Sequence, residues 1–114
     1  MVADEVRAME GWRSMKIPGI ASIRKCVAEF EVQELEKTPY SKFKVKIFEG
    51  MKGELTGYTN LLIKDIDGCP YPGLGRGFNI EDTLKNTIIN FLETLSQKEL
   101  WHEDEFTIAD PFDF

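Results

Sequence analysis

Apolar side chains recur at every second position through the first half of the chain and at helical spacing later on. Residues 25–35 alternate, with Cys26, Ala28, Phe30 and Val32 on one side and Glu29, Glu31 and Gln33 on the other, as a strand with one wet face does. The alternation is cleanest over Ser41–Phe48, where Phe43, Val45 and Ile47 interleave with Lys42, Lys44 and Lys46. A third strand is expected over residues 54–65, drawing its apolar content from Leu55, Tyr58, Leu61, Leu62 and Ile63. The connections, Lys37-Thr38-Pro39 and Glu49–Gly53, are short, so the three runs read as an antiparallel meander.

Two helices are expected beside it. Val2, Val6, Met9, Trp12 and Met15 fall along one face of a short N-terminal helix, weakened by Gly11 and ended by Ile17-Pro18-Gly19. The stronger helix starts after Asn79, a good N-cap, with Asp82 in capping-box position and Glu81 and Asp82 complementing the positive end of the dipole. Ile80, Leu84, Ile88, Phe91, Leu92 and Leu95 form its apolar stripe, and Lys98 stands near its C-terminal end. The fold class is therefore α+β, a three-stranded antiparallel meander with an N-terminal helix and a long helix on one face. A fourth short strand over Glu105–Ala109 is an open alternative.

Charge divides the chain. The 114 residues carry a net charge of −6, from 14 Lys and Arg against 20 Asp and Glu. All 14 basic residues and 14 of the acidic ones lie in residues 1–98, so that part is neutral. The excess sits in residues 99–114, in Glu99, Glu103, Asp104, Glu105, Asp110 and Asp113. The expected organisation is one α+β domain over 1–98 with an acidic, aromatic segment over 99–114 packed on it. A neutral body with an acidic end lacks the clustered Lys and Arg that neutralise phosphates, so nucleic acid is not an expected partner. The N-terminal stretch is neither a signal nor a transit peptide, and no run of 18 apolar residues occurs, so the expectation is a cytoplasmic protein with no membrane partner. Cys26 and Cys69 are then expected to be reduced.

Little in the sequence supports catalysis. His102 is the only histidine, and it lies among carboxylates with no second imidazole to act beside it. No spacing of ligands suggests a metal or cofactor, and a Cys–His pair would need an approach that sequence does not specify. Asp65 and Asp67 read as a turn before Gly68. Glycines at 73, 75 and 77, with Arg76, would allow a phosphate to approach a helix N-terminus. The spacing fits no P-loop or dinucleotide fingerprint, however, and Glu81 and Asp82 would repel the anion, so a surface loop with positive-φ glycines is the preferred reading. An order of helix, three strands and helix also resembles the double-stranded-RNA-binding domain, but that domain requires cations where this chain has Asn79-Ile80-Glu81-Asp82. The lysines of the second strand are expected to pair with Glu29 and Glu31 across the sheet.

Gly73-Leu74-Gly75-Arg76-Gly77-Phe78-Asn79-Ile80-Glu81-Asp82-Thr83-Leu84, leading into Asn86 and Phe91-Leu92, resembles the strand-to-helix junction of HicB-type antitoxins. In them a glycine-containing turn enters a capped helix packed on three strands, and the likeness extends over residues 40–95 in order of elements. In size, acidity and lack of catalytic residues the chain also resembles bacterial immunity proteins. The resemblances imply a non-catalytic inhibitor of a toxin. The charge distribution independently points to a basic partner, for which a nuclease, with its electropositive cleft, is the natural candidate. The expected contacts are Trp101, Glu103, Asp104, Glu105, Asp110 and Asp113, with Tyr71 and Arg76 as a secondary patch. The alternatives are a homodimeric accessory domain and a small anion or nucleotide binder built on residues 73–77.

Overall fold

The computed structural model describes residues 11–112 and 114. Val2, Val6 and Met9 of the expected first helix lie outside the described residues. Where the described chain begins, Gly11–Ser14 forms one 3-10 turn, and the chain reverses at Gly19 with φ +89.

The strands are β1 (Lys25–Gln33), β2 (Lys42–Glu49), β3 (Leu55–Lys64), β4 (Pro70–Gly77) and the short β5 (Phe106–Ile108); the helix α1 spans Ile80–Leu95. The four long strands form an antiparallel meander in chain order, and β5 also pairs with β3. The expected meander and the helix packed on it are present, so the α+β class holds. The expected glycine loop is instead a fourth strand. Its glycines at 73, 75 and 77 do not have positive φ, and the segment pairs with β3 from Leu55↔Gly77 to Lys64↔Pro70.

Period-two burial explains the layering. Residues 55, 57, 59, 61 and 63 of β3 are buried against α1 while the alternate residues face outward. Phe43, Val45 and Ile47 join them from β2, and Phe91 and Leu95 from α1, in a core that also includes Phe106. Phe43 and Phe91 lie 4.6 Å apart between ring centroids. A bulge at Val27 shifts the register of β1 between Cys26 and Ala28. Cys26 therefore pairs with Phe48 on the uncovered face, apart from Ala28, Phe30 and Val32, with which its spacing had grouped it. Cys26 and Cys69 are free and exposed near opposite ends of the sheet.

The helix is rotated from its expected face. Thr83, Thr87, Phe91 and Leu95 are its buried residues, while Leu84 and Ile88 pack partly buried at the flank and Ile80 and Leu92 are exposed. The cause lies in the strand beneath. A Cβ on Gly75 would stand 2.3 Å from the backbone nitrogen of Thr87 and 2.6 Å from its Cα, so helix and strand backbones meet where only small residues fit. Leucine and isoleucine are displaced to the edges of that contact. Asn79 caps the helix as expected, its Oδ1 accepting the Asp82 N–H at 2.7 Å. At the other end the expected cation is replaced: Lys37 Nζ reaches the carbonyls of Leu95 and Lys98 at 3.3 and 3.2 Å, while the Lys98 side chain pairs with Glu105.

Candidate protein-binding site

Residues 101–109 are fixed to the rest of the domain by three devices. First, β2 ends its pairing with β3 at Val45↔Thr59, and β5 takes over the vacated edge from Leu61↔Ile108 to Ile63↔Phe106. Asn60 joins the two: its side-chain oxygen accepts the Lys44 N–H and its carbonyl the Ala109 N–H, both at 2.7 Å. Second, Trp101 packs on Phe106 with centroids 5.7 Å apart and its indole N–H donates to the Leu95 carbonyl at 2.8 Å, which occupies another free acceptor at the end of α1. Third, Glu105 accepts the His102 N–H at 2.8 Å and pairs with Lys98. The Lys98 ammonium, then the His102 N–H, hold the Glu105 carboxyl below its ordinary pKa.

Two residues expected to meet a partner are thus used internally. Glu105 is the carboxylate that closes its own turn, and Trp101 is half-buried against the helix end. Glu103, Asp104 and Asp110 are exposed; Asp110 Oδ1 accepts the Phe112 N–H at 2.8 Å. Asp113 lies outside the described residues. Tyr71 and Arg76 are divided by the pleat, since Tyr71 pairs with Ile63 on the helix face and Arg76 with Thr56 on the open face. Tyr71 shares a cleft of about 270 Å³ with Trp101, Asp65 and Phe91, so the structure unites Tyr71 with the C-terminal segment and removes Arg76.

Pairing of Ile63 with Phe106 sets the start of β5 beside the end of β3. The β3–β4 turn thereby joins the acidic segment at one end of the sheet. In that turn Asp65 Oδ1 accepts the N–H groups of Asp67 and Cys69, each at 2.9 Å, which leaves Ile66 fully exposed between two carboxylates. Leu100 is 73% exposed next to Glu99. Among the described residues, Asp65, Asp67, Glu99, Glu103 and Asp104 form no ion pair. Ile66 and Leu100 escaped the sequence reading because an isolated apolar residue in a loop carries no periodic signal.

Among the described residues no group of three or more His, Cys, Asp or Glu could hold a metal. The phosphate-cradle alternative at 73–77 loses its premise, because Gly73 N–H donates to Thr59 Oγ1 at 2.8 Å and Leu74 N–H to Asn90 Oδ1 at 2.9 Å. Among the described residues no helix is long and apolar enough to cross a membrane. No protein-family model, no curated protein and no solved structure matches the chain.

Proposed function

We propose that this chain is a non-catalytic inhibitor that captures a basic protein, a toxin domain with nuclease activity being the partner of best-fitting chemistry, and that it acts by covering the partner's electropositive cleft. The observation that carries this reading is the acidic end, where Asp65, Asp67, Glu99, Glu103 and Asp104 form no ion pair among the described residues and Ile66 and Leu100 stand exposed next to them in the chain. Uncompensated carboxylates accelerate encounter with a cationic surface, and apolar side chains desolvated at the centre slow dissociation. The three attachments of residues 101–109 hold Glu103 and Asp104 in place before binding, which reduces the ordering cost.

The test is binding kinetics with a partner captured by pull-down. Glu99→Gln, Glu103→Gln and Asp104→Asn together should lower the association rate at low salt and leave the dissociation rate nearly unchanged. At high salt the variant and the parent should converge. Equal protection by both at every salt concentration would sink the acidic-end mechanism.

The homodimer alternative has one observation for it and one against. Lys44 N–H points to β3, so Phe43, Val45 and Ile47 bond toward β1, and the outward backbone groups of β1 belong to Glu29, Glu31 and Gln33. This edge is unpaired among the described residues, whereas β4 carries Pro70 and Pro72. An antiparallel β1–β1 pair about Phe30 would set Glu29 against the second copy's Glu31, which disfavours self-pairing.

A further inference from the structure

The sheet face that α1 leaves open has a different charge from the rest of the molecule. Register assigns to it Lys42, Lys44 and Lys46 of β2, Lys64 of β3 and Arg76 of β4, and Arg24 lies over two of its rings. Against these six cations the strands of that face present two carboxylates, Glu29 and Glu31, so cations are in excess there; Glu54 and Lys52 border the same surface beside Arg24 and Phe48, Lys46 Nζ also donates to a Phe114 oxygen at 3.2 Å, and Asp110 stands beyond β5, where the chain turns back. The pairings expected from sequence are present but loose. Lys42–Glu31, Lys44–Glu29 and Lys46–Glu29 span 3.4 to 3.8 Å between side chains that are about half exposed except for the more buried Lys46, and one Glu29 serves two lysines.

At the centre of this face cations and rings meet. The Arg24 guanidinium carbon lies 4.2 Å from the Phe48 centroid and 5.2 Å from that of Tyr58, and Arg24 also donates to the Tyr58 hydroxyl at 3.1 Å. Phe48 and Tyr58 are 6.0 Å apart, edge to face. Lys46 Nζ sits 4.5 Å from the ring centroid of Phe114. Arg24 and the three rings border a cleft of about 250 Å³, which Leu62 and Pro72 floor. That is below the ~300–1,000 Å³ of pockets that enclose a drug-sized molecule, so the cleft suits one planar ring presented from outside.

We infer that this open sheet face binds single-stranded nucleic acid, a base stacking at the Arg24, Phe48, Tyr58 and Phe114 cleft while the lysine row of β2 and Arg76 meet phosphates. A row of ammonium groups about 7 Å apart on alternate residues of one strand tracks an extended backbone. Rings and a guanidinium accept any base by its flat face, so the binding is tolerant of sequence. Counting Lys and Arg along the chain missed this surface because a sum over the chain does not separate the two faces of the sheet, and alternate positions of β2 put Lys42, Lys44 and Lys46 on one of them. The site shares Phe114 and Ala109 with the C-terminal segment but uses none of the carboxylates proposed to meet a basic partner, and it does not depend on their role.

The test is fluorescence anisotropy with a labelled oligothymidylate of about 12 nucleotides, at low salt and protein up to about 100 μM, where sequence-independent contacts are measurable. Saturable binding is expected, with a slope of log affinity against log salt of about −3 if four phosphates are neutralised. Arg24→Ala and Tyr58→Ala should each weaken binding about tenfold, whereas Lys85→Ala, on the exposed side of α1, should leave it unchanged. Circular dichroism identifies a variant that fails to fold; Arg24 is exposed, and Arg24→Ala then decides the matter alone. Absence of saturable binding overturns the inference. So does equal binding of duplex DNA, or equal competition by polyglutamate, since either outcome makes the face a general polyanion or acidic-protein surface.

Discussion

Replacing Gly75 by Ala tests the contact that sets the helix in its observed orientation. The added Cβ would lie 2.3 Å from Thr87 N, 2.6 Å from Thr87 Cα and 2.6 Å from Thr87 Oγ1. An ordinary contact is more than 1 Å longer, and two of these three atoms are backbone, so no rotamer change relieves the clash. The helix must lift there, which also loosens Phe91 and Leu95 one and two turns further on. Overpacking of this kind costs ~1–3 kcal/mol, and the backbone contact places Gly75→Ala near ~3 kcal/mol. For a chain of this length that corresponds to a fall of about 10 °C in Tm. Gly57→Ala offers the comparison. Its Cβ would meet Thr87 Oγ1 at 2.2 Å but the Thr87 Cβ only at 3.2 Å, so Thr87→Ala should recover part of that loss and none of the loss at Gly75. Urea and thermal unfolding of the three single and two double variants would measure both couplings. A Gly75→Ala protein melting within about 2 °C of the parent, or rescued by Thr87→Ala, would refute the close-approach argument.

The remaining predictions concern the acidic segment and pH. Trp101→Phe keeps a ring on Phe106 but leaves the Leu95 carbonyl without its indole donor; a loss of ~1 kcal/mol is expected in unfolding experiments, and Trp101→Ala should lose more and expose β5 amides to hydrogen exchange. Glu34 is partly desolvated, which raises its pKa, but the Lys37 and Thr38 N–H groups, each 2.8 Å from Oε1, outweigh this and hold it below the ordinary value. A depressed folded-state pKa contributes stability that is present above the unfolded value and is lost as pH falls through the folded one. Glu34→Gln should therefore flatten the acid limb of a Tm–pH profile between about pH 5 and 3, and an unchanged limb would contradict the assignment. Glu105 titrates with the same sign, so Glu105→Gln should weaken protection of the His102 amide at neutral pH, read by hydrogen exchange.

Strand and helix formation was legible in local pattern. Period-two alternation located β2 and most of β1, and Asn79 marked the start of α1, because pleat and cap chemistry depend on residues within a few positions of one another. What depends on contacts across the chain was not legible. Gly73–Gly77 resembles a loop by composition, and it forms a strand because β3 supplies its hydrogen-bond partners and α1 requires a floor without side chains. The same contact turned Thr83 and Thr87 inward and left Ile80 and Leu92 outside. Within the candidate site, composition grouped the carboxylates after residue 98, but it did not reveal that Glu105 and Trp101 serve as attachments to the domain.

Charge follows the same division. The sequence alone determined the amount, −6 in total, and its concentration after residue 98. Tertiary structure decided where each charge faces. The strand pairing brought the Asp65–Asp67 turn to the start of β5 and gathered Lys42, Lys44, Lys46, Lys64 and Arg76 on the open face. A sum over the chain is blind to that sorting, because the field at a surface depends on distance and side, and neighbours in space across a sheet are separated by whole strands in sequence.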